Sequence, residues 1–132
     1  MQIDQFISFH FDLKNAMLES IWKTRYEMSE EEYKKVVLRY VEEVERTHPR
    51  FVLLDTRQAF FTINPDLQAW VSNTVRMAYE KVGLRKRAFL MSKDFIVQLS
   101  VEQIVEEGEG KIRANQRFFS DRQEALDWLL GR

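Results

Sequence analysis

The chain has 132 residues, 45% hydrophobic and 31% charged, which places it among single globular domains able to bury a core without staples. Twenty basic residues face 21 acidic ones, and a formal charge of −1 sets up no long-range pull toward nucleic acid or an acidic membrane. With no cysteine, disulfides, thiol nucleophiles and thiolate metal sites are excluded. No apolar run reaches membrane-spanning length and Met1–Phe6 lacks a signal-peptide profile, so a cytoplasmic location is expected.

Ile7, Phe9, Phe11 and Leu13 alternate with Ser8, His10 and Asp12, the period of a half-buried strand. A turn at Lys14-Asn15 and a second strand within Leu18–Tyr26 make a hairpin. Ser29-Glu-Glu-Glu32 is a capping box. Behind it Tyr33, Val36, Val37, Tyr40, Val41 and Val44 recur at helical spacing, and the helix is expected to end near His48-Pro49. Phe51–Leu54 is apolar on both faces and ends on Asp55, the pattern of a buried parallel strand. Asn64 caps the next helix and Pro65 takes its first position. Leu67, Val71, Val75 (or Thr74), Ala78 and Val82 form the core side, and Gly83 is the stop.

Ala88–Met91 reads as a further short strand, closed by Ser92-Lys93-Asp94. Ser100-Val-Glu-Gln103 reads as a second capping box, opening a helix with Val101, Ile104 and Val105 that stops at Gly108-Glu-Gly110. Ile112–Phe119 is a more polar strand, expected near an edge. Ser120-Asp-Arg-Gln123 reads as a third box, before a helix with Ala125, Leu126 and Leu129. The order ββαβαβαβα predicts one α/β domain over residues 1–132. Its sheet has four or five strands and is mostly parallel, with an antiparallel N-terminal hairpin strand and helices packed on it.

Few residues carry recognisable chemistry. His10 and His48 are far apart in sequence, and neither has a second histidine at ligand spacing, so no metal site is expected. There is no Gly-x-Ser-x-Gly elbow, and Gly108-Glu-Gly-Lys111 lacks phosphate-loop spacing. Lys81, Arg85, Lys86 and Arg87 read as a solvated helix end whose cations offset the helix dipole. Trp70 and Met77 widen the apolar face of their helix, which either packs internally or meets a partner, a second copy included. Phe60-Phe61 cover a core edge, line a ligand crevice or meet a partner. In the loop after Phe51–Asp55, Asp55 is expected to hold the loop, by accepting loop N–H bonds or by pairing with Arg57. The helix start at Asn64 is an anion receptor, where a phosphate, a carboxylate or a phosphorylated Thr62 would be favoured. Ser92 should reach the same sheet edge. The candidate ligand- or partner-binding residues are therefore Asp55, Thr56, Arg57, Phe61, Thr62, Asn64, Trp70 and Ser92.

Phe51–Arg57, Pro65–Trp70, Gly83–Ala88 and Phe118–Leu129 together resemble the STAS-like, SpoIIAA-like family of small bacterial proteins. The resemblance covers nearly the whole chain and rests on strand ends and helix caps. It implies a sheet of four or five strands packed with helices. It also implies a non-enzymatic, cofactor-free regulatory domain that acts by protein contact, or by binding a small anionic or apolar ligand. Anti-sigma-factor antagonists of that family carry an Asp-Ser-Ser/Thr-Gly-like segment with a phosphorylated serine. This chain has Asp55-Thr56-Arg57-Gln58 there, leaving Thr56 and Thr62 as the nearby hydroxyls.

Overall fold

The computed structural model describes residues 2–107 and 115–132, with Glu107 described by its backbone alone. Five strands form one sheet in the order β1-β2-β3-β4-β5: Ile7–Asp12, Met17–Trp22, Phe51–Asp55, Lys86–Leu90 and Asn115–Phe119. β1 pairs antiparallel with β2, and the remaining pairs are parallel. The expected α/β class is the observed one, and the polar last strand does lie at an edge. The helices are α1 (Glu30–Thr47), α2 (Pro65–Val82), α3 (Phe95–Glu107) and α4 (Arg122–Leu130).

Because each parallel strand joins its immediate neighbour, right-handed crossovers carry α1, α2 and α3 to the same face. The buried side chains agree. Leu18, Trp22, Val52, Leu54 and Phe89 face these three helices in the larger core. Met17, Leu53, Ala88, Leu90 and Phe119 point the other way, where Ala125 and Leu129 of α4 meet them. Phe51–Leu54 is apolar throughout because β3 is covered on both sides.

Local chemistry sets the helix ends. Ser29 Oγ accepts from the Glu32 N–H and Glu32 accepts from the Ser29 N–H, so the expected box caps α1. His48 ends α1 in the left-handed region, and Gly83 ends α2 at φ 68°. The other two boxes are corrected. α3 begins five residues before Ser100, at Phe95, with Asp94 accepting from the Val97 N–H. Ser100 is therefore mid-helix and buried, its hydroxyl donating to the Val97 carbonyl at 2.7 Å. The acidic side chain beside Phe95 outcompetes a serine that would leave Phe95–Leu99 uncapped. α4 is capped by Asp121 rather than Ser120, through the Glu124 N–H. β2 stops at Trp22, short of Tyr26, and β4 starts two residues earlier than expected, at Lys86. The expected helix stop at Gly108–Gly110 and the strand start at Ile112 lie outside the described residues.

Candidate functional site

The loop after β3 places half of its expected site residues inward. Asp55 is buried at the end of β3. It accepts from Arg57 three times: from the backbone N–H at 3.1 Å, from Nε at 3.0 Å and from a terminal nitrogen at 2.8 Å. This is the expected loop clamp. Thr56 is buried and donates its hydroxyl to the Leu90 carbonyl, tying β3 to β4. Phe61 is buried and stacks on Tyr33 at 4.5 Å between ring centroids, so it covers core and also borders the cavity between sheet and helices. Thr62 is exposed between buried Phe61 and Ile63. Ser92 accepts from the Asp94 N–H and donates to the Ala59 carbonyl.

Asn64 caps α2, its Oδ1 accepting from the Leu67 N–H at 2.9 Å, while its amide donates to Glu30. That side chain is already committed to the cap, with a carboxylate beside it. Asn64→Ala should therefore lower folding stability by about 1 kcal/mol in urea denaturation. Trp70 is half-buried, with the Lys34 ammonium 5.3 Å above its ring, whereas Met77 is 57% exposed. The wide face of α2 thus splits into a covered and an uncovered part.

A second ionic group sits on the α4 side of the sheet. Glu19 of β2 is buried and accepts from Arg122 Nε at 3.1 Å and a terminal nitrogen at 2.7 Å. The Glu19–Arg122 and Asp55–Arg57 pairs interact with each other, Asp121 also faces Arg57, and the cluster pins the start of α4 to the sheet edge. Burial pushes the Asp55 carboxyl up, but the Arg57 hydrogen bonds and charge outweigh this and hold it below its ordinary value. Buried Glu43 is also held low, first by Arg46 and then by Arg39. A carboxyl lowered on folding stabilises the native state above its unfolded pKa. That contribution disappears as pH falls through the folded value. The urea midpoint should therefore be flat near neutrality and fall below about pH 4. Asp55→Asn should lower the neutral plateau and make the acid fall shallower.

The space between β2–β4 and the helical layer is incompletely filled. Among the described residues no Cα of α2 or α3 lies within 8 Å of a strand Cα, whereas α1 and α4 do approach the sheet. Bulky side chains stand between: Tyr40 from α1, Tyr79 from α2, Arg87 and Phe89 from β4. They leave a partly open cavity of about 60 Å³. Its walls are Val71 and Val75 of α2, Val97, Val101 and Ile104 of α3, and Thr56, Ala59, Phe61 and Ile63 of the loop. Of the eight expected site residues, this cavity unites Thr56 and Phe61. The clamp Asp55–Arg57, the cap Asn64, exposed Thr62, Trp70 and Ser92 do not line it.

Tyr40 and Tyr79 meet in this wall, their hydroxyl oxygens 2.7 Å apart. Burial, and then the neighbouring Tyr79, raise Tyr40 well above the ordinary phenol value, so it stays a neutral hydroxyl. Arg87 corrects the sequence reading most. It is 2% exposed rather than part of a solvated basic helix end. In β4 it shares the helix-facing side with Phe89, two residues on, while Lys86 and Ala88 face the other way. Its guanidinium lies over Phe89 at 4.8 Å and Tyr79 at 5.2 Å. The signal available in the sequence was this period of two through Arg87 and Phe89.

Fold and site define a small α/β domain with an aromatic-walled cavity between its sheet and one helical layer. No protein-family model matches the chain, and no curated protein matches it.

Proposed function

We propose that the protein is a non-enzymatic domain that binds a small, largely apolar ligand between its sheet and the α1–α3 layer. The observation that carries this reading is the cavity. Interiors normally pack to crystal density, and a void of this size forfeits contacts that mutation alone could restore. Its lining of aliphatic and aromatic side chains with a few polar groups is that of a ligand pocket. The non-enzymatic part is supported by the buried carboxylates Glu19, Glu43 and Asp55, each engaged by arginine and therefore poorly suited to proton transfer. The resemblance to SpoIIAA-like proteins supports a domain that works by binding.

A second reading, contact with a protein partner, is favoured by one observation. Phe95 and Ile96, at the start of α3, are 77% and 57% exposed. In that reading α3 reports the state of the cavity that its other side helps to wall.

Thermal-shift screening with small, largely apolar molecules, neutral and monoanionic, tests the ligand reading, with Val97→Phe as the filled-cavity control. A ligand at 100 times its dissociation constant should stabilise the native protein by about 2.7 kcal/mol. The filled variant should not respond. Failure of every compound, or an equal response in Val97→Phe, would remove the proposal.

A further inference from the structure

Arg87 is the feature of the cavity that a purely apolar guest leaves unexplained. Among the described residues it forms no salt bridge. One terminal nitrogen donates to Gln116, and among the described residues its buried Nε has no partner. Arginine, unlike lysine, does not escape burial by losing its proton. A buried cation resting on two aromatic faces with an unused N–H is therefore incomplete.

The tyrosine pair adds a second, independent deficit. Two hydroxyls carry two protons, and one hydroxyl–hydroxyl bond uses one of them. The other has no acceptor among the hydrogen bonds of the described residues. Since Arg87 lies over the Tyr79 ring, the spare O–H and the spare N–H belong to the same wall. Both are donors, and one of the groups carries a positive charge. Their complement is a singly charged acceptor. A phosphate dianion would bring more charge and more oxygens than this wall can satisfy. A volume of about 60 Å³ takes on the order of four to six water-sized groups.

We propose that the cavity takes a short-chain monocarboxylate. The carboxylate sits against Arg87 and the Tyr40–Tyr79 pair, and the aliphatic body lies among Phe61, Val71 and Val97. This deepens the ligand-binding reading above and rests on it.

The test is calorimetric titration of the whole chain with isobutyrate, isobutyramide and inorganic phosphate, repeated on Arg87→Met and Arg87→Lys. The acid should bind the wild-type protein at least about tenfold more tightly than the isosteric amide, because the amide lacks the charge the site is built to meet. Phosphate should not compete. Arg87→Met should lose the preference for the acid and, without ligand, melt no lower than wild type. Arg87→Lys should keep the preference with weaker binding, since an ammonium lacks the planar fork. Equal binding of acid and amide by the wild type would overturn the carboxylate assignment while leaving the cavity reading intact, and that comparison needs no variant. Binding of neither would end both. Unchanged preference in Arg87→Met, or a large loss of stability in the free variant, would show that Arg87 serves the fold instead.

Discussion

Tyr40→Ala should cost about 3–5 kcal/mol of folding stability. Tyr40 is 1% exposed and sits where three elements converge. Its ring lies 6.5 Å from Phe9 of β1, 5.3 Å from Trp22 of β2 and, edge-on, 6.3 Å from Tyr79 of α2. Two of these neighbours are held from elsewhere and cannot readily collapse into the space. Trp22 donates to Ser20, and Phe9 is capped by the Arg39 guanidinium at 4.9 Å. Truncation would also enlarge the cavity that Tyr40 borders. For a domain with typical stability of about 5–15 kcal/mol, this is a large fraction. Tyr40→Phe keeps the ring and removes one hydroxyl, so about 1 kcal/mol is expected. Urea denaturation with unchanged m values checks both. A loss below 1 kcal/mol for Tyr40→Ala would contradict the packing described.

Leu129→Ala should cost about 2–5 kcal/mol and loosen α4 from the sheet. α4 has nine residues, too few to persist in isolation. It is docked through Ala125 and Leu129 onto Leu53, Ala88 and Leu90, with Trp128 against Phe119 at 5.7 Å. The small residues Ala88 and Ala125 allow close approach, which leaves Leu129 as the largest fully buried side chain that α4 supplies. Lys86 donates to the Trp128 carbonyl at 2.9 Å, and the Arg122–Glu19 pair ties down the other end. Those polar ties should retain α4 in part. Hydrogen exchange should therefore rise across Arg122–Leu130 well before it rises in α1. Equal protection of α4 in wild type and variant would count against this account.

The elements that were legible in the sequence are those whose signals are local. The Ser29–Glu32 box, Asn64-Pro65 before α2 and Gly83 after it each satisfy backbone groups within one turn, and those termini are where the spacing predicts them. Phe51–Leu54 was legible because only a doubly covered strand is apolar at every position. Ser100–Gln103 misled because a capping pattern within a helix looks the same as one at its start, and Asp94 was the nearer acceptor. The site was less legible. Phe61 and Ile63 point inward and Thr62 outward, an alternation that a loop does not announce. Arg87 sits in a basic run in which Lys86 and Arg87 face opposite sides of β4. The period of two through Phe89 hints at which cation is buried, and the register against β3, Arg87 beside Val52, fixes it. Such register is tertiary information.

A ligand site beneath α2 and α3 has a direct spectroscopic test. Methyl-resolved NMR during titration with isobutyrate provides it. Saturable shifts are expected at Ala59, Val71, Val97 and Ile104, all with one dissociation constant, while the methyls of Leu53 and Leu129 on the α4 side stay still. Absence of saturable shifts, or shifts confined to exposed Ile96 and Leu99, would contradict it.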